Sequence, residues 1–246
     1  MQIIKKYLDE IRHTLDKVIN TQTEAMDAAA TLIAEATINK HNIFAFGCNH
    51  AGLLALELYY RSGGMVNINP VRGPGLHLDV DPATLTSQME RLPDYGRMLM
   101  DHIPLGKGDV IIIHSVSGRN TVTVDAAIRA REKGASVIAL TNLTTSKAVT
   151  SRHGKGICLY QAADVVIDNC GCLGDAAMEI EGVASRVGPT STAIGAAILN
   201  AIISEAVAKV TAAGYEAPVF ISANIDGGDK HNQKVLDSFK DHIFYM

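Results

Sequence analysis

Short apolar runs of strand length recur along the chain from about residue 42 onward. In chain order they read NIFAFG, MVNINPV, DVIIIHS, SVIALTN and DVVIDN. Stretches of helical character separate several of these runs, namely AGLLALELYYR, TVTVDAAIRAREKG and TSKAVTSRH. Alternation of strands and helices predicts a parallel sheet with right-handed crossover connections. The chain is therefore predicted to be an α/β protein.

The first forty residues carry an apolar stripe at helical spacing. In steps of three and four the stripe runs through Leu8, Ile11, Leu15, Val18, Met26, Ala29 and Ile33, with Gln22 as its single polar break. This pattern predicts a helical extension over 1–40. A core at 42–212 and a C-terminal tail at 213–246, of loop character over GYEAPVFISANIDGGDKHN, are expected to follow within a single domain. The core is predicted to end with a long helix over 191–212. An apolar stripe has to be buried, and we expect a second copy of the chain to cover part of it, in a homodimer or homotetramer.

The composition of the 246 residues argues against several classes of protein. Hydrophobic residues make up 47% and the net charge is −4, which predicts a globular fold without a nucleic-acid partner. No run of about 18 uncharged apolar residues occurs, which argues against a membrane partner. The opening MQIIKKYLDEIRHTL turns charged early for a signal peptide, and the four cysteines lack the paired spacing of a zinc knuckle. We therefore expect a cytoplasmic protein without a metal or other cofactor.

Polar or glycine-rich segments follow the predicted strands. Ligands of open parallel sheets bind beyond the carboxyl ends of the strands, so these segments form the predicted site. They are GCNHAG (47–52), RGPG (72–75), HSVSGRN (114–120), TNLTTS (141–146) and NCGCLGD (169–175).

The segment HSVSGRN lies where the third predicted strand passes into a helix. Short hydroxyl and amide groups are offered there by Ser115, Ser117, Asn120 and Thr121. A helix N-terminus adds unpaired N–H groups and the positive end of the macrodipole, and glycine lets the backbone approach a ligand. These groups predict a phosphate cradle, although an ordinary helix cap with a tight turn would use the same residues. The P-loop lysine and the GxGxxG motif are missing, which disfavours nucleoside triphosphates and dinucleotides.

Three longer segments carry a family resemblance: FAFGCNHAG, IIIHSVSGRNTVTVDAAIRAREKGASVIALTN and GPTSTAIGAAILNAI. Together they resemble the SIS (sugar isomerase) domain family of phosphosugar-binding proteins over about 42–210. The resemblance implies a flavodoxin-like αβα sandwich with a five-stranded parallel sheet, to which N-terminal helices are added. Shorter motifs, among them YYRSGG, SRHGKG and PVFISAN, look like a bacterial subfamily related to phosphoheptose isomerase.

The resemblance also implies a set of ligand-binding residues. Asn120 takes the threonine position of the family's SxSGxT loop, and Thr190 and Ser191 begin the final helix and line the site. In the first turn the family usually carries Gly and Ser where this chain has Asn49 and Ala51. Asn49 or His50 would therefore replace a hydroxyl that normally reaches the ligand.

Glu57 is the predicted general base of an isomerisation. It is seven residues after His50, so the two would share one face of a helix, and the surrounding leucines would raise its pKa. His50 would open the sugar ring or shuttle protons. The alternative is an ion pair between Glu57 and Arg61, four residues further on. With a third ligand, His50 and Glu57 would also suit zinc, although their spacing differs from that of the zinc-binding relatives.

Further polar residues fall near the predicted site. Possible contacts are expected from His77, Arg152, His153 and Asp175. The cationic stretch SRHGKG suits a phosphate or a sugar carboxylate, and is otherwise a surface turn. Asp175 and Glu179 are predicted to share a helical face, whereas Glu90 is expected to be solvated and His114 to bond within the core.

These features predict a protein that binds a phosphorylated sugar without a cofactor. The favoured activity is aldose–ketose isomerisation of a sugar phosphate. A non-catalytic phosphosugar sensor and a lyase for phosphorylated sugar acids are the alternatives.

Overall fold

A five-stranded parallel sheet lies at the centre of the fold in the computed structural model, which describes residues 2–246. Its strands are β1 (Ile43–Gly47), β2 (Ile68–Pro70), β3 (Val110–His114), β4 (Ser136–Thr141) and β5 (Val165–Asp168). Their order is β2-β1-β3-β4-β5, and every neighbouring pair is parallel. The strand order changes direction between β1 and β3, and such a switch point opens a crevice at the carboxyl edge of the sheet. The predicted flavodoxin-like α/β fold is confirmed.

Helices cover both faces of the sheet. In chain order they are α1 (Gln2–Ile38), α2 (Gly52–Leu58), α3 (Leu85–Met89), α4 (Tyr95–His102), α5 (Thr121–Glu132), α6 (Leu143–Ala148), α7 (Ser191–Ala212) and α8 (Gly228–Ser238). Because side chains alternate along a strand, Ile112 of β3 packs with α1, α2 and α7, whereas Ile111 and Ile113 pack with α4 and α5 on the opposite face. The apolar strands are thus buried on both sides.

The predicted N-terminal extension is one continuous helix of 37 residues, where more than one helix was expected. Its second half buries Ala29, Ala30 and Ile33 in the core that α7 shares. Toward the N-terminus of α1 the apolar side chains become exposed to solvent. Ile4 is 68% exposed and Leu8 is 60% exposed. The stripe is therefore covered within the chain over only part of its length.

Helix α7 is the one helix among residues 2–246 that is long and apolar enough to cross a membrane, with a mean hydropathy of 1.6 in its most apolar window. About 44% of that window is buried inside the fold. Gly195 brings it close to α2, since a Cβ at this position would lie 2.4 Å from a methyl of Leu54. The helix thus makes the contacts of a core helix of a globular fold.

The prediction of a loop-like tail is wrong in part. Helix α8 packs Val235 and Phe239 into a small apolar cluster with Val66, and the Phe244 ring stacks on Phe44 at 5.9 Å. The apolar side chains of α8 span scarcely more than one helical turn, too short a pattern to distinguish a helix from a loop.

The prediction of a helix over Asp175–Glu179 is also wrong. Two short strands, β6 (Ala176–Met178) and β7 (Val187–Pro189), pair there as an antiparallel hairpin. Gly174 and Asp175 have φ values of 78° and 70°, so neither has the right-handed backbone of a residue within an α-helix.

Candidate functional site

Unpartnered polar atoms mark the carboxyl edge of the sheet. Among residues 2–246, five buried side-chain nitrogen or oxygen atoms have no hydrogen-bond partner. Four of them lie at this edge or in the segments that follow its strands: His77 Nε2, His114 Nε2, Arg119 Nε and Asn169 Nδ2. Because a buried polar atom without a partner is costly, their concentration at one edge indicates a place where a ligand or water completes the bonding.

The loop after β3 is held rigidly to the neighbouring strand segment. Thr141 Oγ1 donates to Ser115 O at 2.7 Å, and Ser146 Oγ donates to Ser117 O at 2.7 Å. Ser115 Oγ accepts from Gly118 N at 3.2 Å, where φ is 58° and the backbone favours glycine. The backbone oxygen of Ser117 is thus used internally, while these bonds leave its hydroxyl free for a ligand.

The N-terminus of α5 lies directly after this loop. Asn120 is its N-cap residue, but the side chain makes no capping bond. Instead, Asn120 Oδ1 accepts from Arg152 Nη1 at 2.8 Å, and Thr121 Oγ1 donates to the Arg152 carbonyl at 3.2 Å. The first turn therefore lacks a side-chain acceptor for its N–H groups, which is the condition for anion binding.

Three guanidinium groups gather around that helix end. Burial, together with the charges of Arg119 and Arg91, lowers the pKa of Arg152 below its ordinary value, and the charge of Glu90 only partly opposes this effect. Arg119 is half-buried, and its Nε is among the atoms without a partner. Mutual repulsion of like charges of this kind is relieved by a bound anion. Arg119 and Arg91 are not among the residues predicted from sequence, although Arg119 lies within the segment HSVSGRN.

Glu90 lies among these arginines, and the expectation that it is solvated is wrong. The residue is half-buried, and burial raises its pKa against the opposing effects of Asn120, Asn49 and the nearby arginines. Its backbone oxygen accepts from Val122 N of α5 at 3.2 Å. Glu90 is brought to the site by the long connection between β2 and β3, whose course the sequence pattern did not define.

The first turn after β1 places Asn49 at the site and His50 at the surface. Asn49 N donates to Leu76 O at 2.7 Å, and Asn49 Oδ1 accepts from Thr86 Oγ1. His50 is exposed, in a short 3₁₀ turn over Asn49–Ala51. Asn49 thus links the turn to the long connection.

Glu57, the predicted general base, has two polar partners in the structure. Glu57 pairs with Arg61, accepts a hydrogen bond from Asn200 Nδ2 at 3.0 Å, and leaves 34% of its side chain exposed. The structure therefore shows the ion pair between Glu57 and Arg61, which was the alternative to a catalytic role for Glu57. Helix α2 has only seven residues and His50 precedes it in a 3₁₀ turn, so no continuous helical face joins His50 to Glu57.

Asp175 binds the start of α7. Its Oδ1 accepts from Thr190 N and Ser191 N at 3.1 and 2.8 Å, and its Oδ2 accepts from Ser191 Oγ at 2.7 Å. The structure brings these three predicted residues together. The carboxylate caps the helix and occupies the N–H groups that a ligand anion would otherwise use.

The other two predicted histidines have different surroundings. His153 uses both ring nitrogens: Nδ1 accepts from Lys155 N at 3.1 Å, and Nε2 donates to Asp125 Oδ1 at 3.0 Å. The cationic residues of the stretch SRHGKG therefore have different partners. Arg152 lies at the N-terminus of α5, whereas His153 is bound to Asp125. His77 lies beside the start of α2, with its Nε2 unpartnered.

The residues present do not suit the zinc alternative. Among residues 2–246, no three His, Cys, Asp or Glu side chains come together as metal ligands would. Glu57 is occupied by Arg61 and Asn200, and His50 lies apart in its own turn.

Comparisons with known proteins agree with this fold. The family model for the SIS domain matches residues 6–142. A UPF0309 protein of Shouchella clausii is 42% identical over 246 residues, which cover all of both chains. The structure of a phosphoheptose isomerase from Neisseria gonorrhoeae superposes with a TM-score of 0.53 at 17% identity, over 85% of this chain and 98% of that one. The Vibrio vulnificus NanR protein, complexed with ManNAc-6P, gives 0.50 at 13% identity, over 97% of this chain and 69% of that one.

Proposed function

The chain belongs to the SIS domain family, and we propose that it binds a phosphorylated sugar at the carboxyl edge of its sheet. The phosphate lies on the N-terminus of α5, in a cradle formed by Ser115–Thr121 with Arg119 and Arg152. The observation that carries the proposal is the group of guanidiniums around an α5 N-terminus without a side-chain cap. Both features favour a doubly charged anion.

Each residue of the cradle has a role that follows from its contacts. The Ser117 hydroxyl and the first-turn N–H groups other than Val122 N, which donates to Glu90 O, donate to phosphate oxygens, and the Arg119 Nε gains the acceptor that it lacks. Asn120 and Thr121 hold Arg152 in place through their bonds to its guanidinium and carbonyl. Thr190 and Ser191 keep a proposed role in supporting the site, because Asp175 occupies their N–H and hydroxyl groups.

The proposed reaction is aldose–ketose isomerisation, which moves a proton between adjacent carbons. Glu90 is better placed for this transfer than Glu57, because it lies beside the cradle and burial raises its pKa. A carboxylate with a raised pKa is a stronger base, so it takes the proton from the first carbon more readily. The exposed His50 remains the proposed group for ring opening.

Non-catalytic binding is the second candidate function. The ion pair of Glu57 with Arg61 favours it, since the residue predicted as base is occupied. A neighbour in fold, the NanR protein, is described in complex with ManNAc-6P, so the fold itself is compatible with such a ligand.

A thermal-shift screen over sugar phosphates tests the proposal, followed by NMR of the best ligand after long incubation. Binding with conversion supports the isomerase, and saturable binding without conversion supports the sensor. The absence of a shift with every sugar phosphate would contradict both.

Assembly and location remain proposals as well. The exposed Ile4 and Leu8 of α1 suit burial against a second copy in a homodimer or homotetramer, because isologous interfaces are the commonest solution. Light scattering is expected to give at least twice the 26.2 kDa of the chain, whereas a folded monomer at micromolar concentration would contradict this. We place the protein in the cytoplasm on the same grounds as the sequence prediction.

A further inference from the structure

A cavity of about 790 Å³ opens next to the carboxyl end of β2. Leu53, Leu56 and Leu78 form much of its apolar wall and remain 40%, 38% and 36% exposed. Asn49 also lines this cavity, and both Asn49 and Asn120 of the cradle oppose the rise in the pKa of Glu90. The cavity therefore lies near the cradle, on the side toward β2.

The guanidinium of Arg72 lies on the polar wall of the cavity. Its Nη2 donates to the Tyr59 hydroxyl at 2.5 Å, and its Cζ lies 5.0 Å from the centre of the Tyr59 ring. Arg61 on the same side is paired with Glu57, but within residues 2–246 no carboxylate forms an ion pair with Arg72. A guanidinium that is held in place without a counter-charge is suited to a planar anion such as a carboxylate.

His77 lines the same cavity and supplies a second unsatisfied group. Its Nε2 is buried and has no partner. On the other side of the ring, a Cβ at Gly52 would lie 3.1 Å from Nδ1, so α2 limits how the ring can turn. A ligand oxygen that bonds Nε2 would remove the cost of leaving this atom unpaired.

Arg72 and the cradle follow two strands that lie two strand spacings apart in the sheet. Arg72 follows β2, the cradle follows β3, and β1 lies between these strands. Two strand spacings amount to about 10 Å. An extended chain advances about 1.2 Å per bond, which gives about 8 Å from C1 of a six-carbon sugar to a phosphorus on C6.

From these groups we infer that the cavity is a second anion subsite, and that the ligand is a phosphorylated sugar acid with its carboxylate at the end opposite the phosphate. The inference rests on the proposed binding of a phosphosugar at the cradle. Arg72 receives the carboxylate, His77 bonds one of its oxygens or a neighbouring hydroxyl, and the leucines pack against the carbon chain. Asp79 also lines the cavity, and its negative charge repels the carboxylate of the ligand.

Titration calorimetry with two matched six-carbon probes tests the inference. Glucose 6-phosphate carries the phosphate alone, whereas 6-phosphogluconate carries the same phosphate and a carboxylate at C1. The wild-type protein is expected to bind 6-phosphogluconate at least about ten-fold more tightly, the effect of one charge-assisted hydrogen bond. Arg72→Met removes this preference and leaves the affinity for glucose 6-phosphate unchanged, while Asp79→Asn increases the preference.

Arg131→Met is the control, because Arg131 pairs with Asp164 at a distance of 3.0 Å at the other end of α5. It is expected to change neither affinity. Equal binding of the two probes by the wild-type protein, or an equal loss of both in Arg72→Met, overturns the sugar-acid inference and leaves the cradle intact. If neither probe binds, the inference fails, whereas the proposed function fails only if no sugar phosphate of the thermal-shift screen binds.

Discussion

Arg152 donates a hydrogen bond from Nη1 to Oδ1 of Asn120 at 2.8 Å. This contact diverts the side chain that would otherwise cap α5, and it fixes a positive charge beside the helix end. The same residue is repelled by Arg119 and Arg91. A helix N-terminus without a side-chain cap and a group of positive charges thus occur at one place, which is the physical basis of the proposed phosphate site.

The two serines of the loop are expected to respond differently to substitution. Ser117→Ala removes a hydroxyl that the loop bonds leave free, so phosphosugar affinity falls by about ten-fold while the free energy of unfolding stays the same. Ser115→Ala removes the acceptor of the Gly118 N–H and lowers the free energy of unfolding by about 1 kcal/mol. Calorimetric titration and urea denaturation of both variants measure these effects. Unchanged affinity in Ser117→Ala would remove its hydroxyl from the site.

His114 is expected to make stability depend on pH. Burial lowers its pKa from 6.5 to about 4, an effect that Ala51 and Asp175 only partly oppose. Between these values the unfolded chain binds a proton that the native protein does not. The stabilisation is therefore complete above pH 6.5 and is lost as the pH falls toward 4, with a loss of about 2 kcal/mol between pH 7 and pH 5.

Urea denaturation at several pH values measures this dependence in the wild type and in His114→Gln. The variant is expected to lose less stability than the wild type between pH 7 and pH 5, whatever its stability at pH 7. His102→Gln is the control, because His102 is exposed on α4. Equal pH dependence in wild type and His114→Gln would show that His114 is not the titrating group.

The two candidate bases are separated by matched substitutions. Glu90→Gln is expected to retain ligand binding and to lose at least about 100-fold in solvent deuterium exchange into the sugar phosphate, the usual size of a general-base effect. Glu57→Gln breaks a partly exposed ion pair with Arg61 and is expected to change exchange by less than about ten-fold. The opposite pattern would restore Glu57 as the base.

The strands of the sheet and the loops that follow them could be predicted because each is specified by a short, continuous stretch of sequence. The apolar runs around Ile43 and Val110 are short and separated by helices, and glycine and hydroxyl residues follow them directly. Glu90 and Arg91 could not be predicted in the same way. They reach the site through a long connection whose course depends on tertiary contacts, such as the bond from Thr86 to Asn49. Asp175 was wrongly predicted to lie in a helix, because the left-handed backbone at Gly174 and Asp175 has no counterpart in the periodicity of the sequence.

The most direct test of the phosphosugar site is calorimetric titration of Arg119→Met beside the wild type and Arg131→Met, with the sugar phosphate that gives the largest thermal shift. The Nε of Arg119 lies at the cradle without a hydrogen-bond partner. Arg131, by contrast, is paired with Asp164 at the other end of α5. We expect wild type and Arg131→Met to bind alike and Arg119→Met to bind at least about ten-fold more weakly, with all three equally stable. Equal affinity in all three proteins would contradict phosphate binding at the N-terminus of α5.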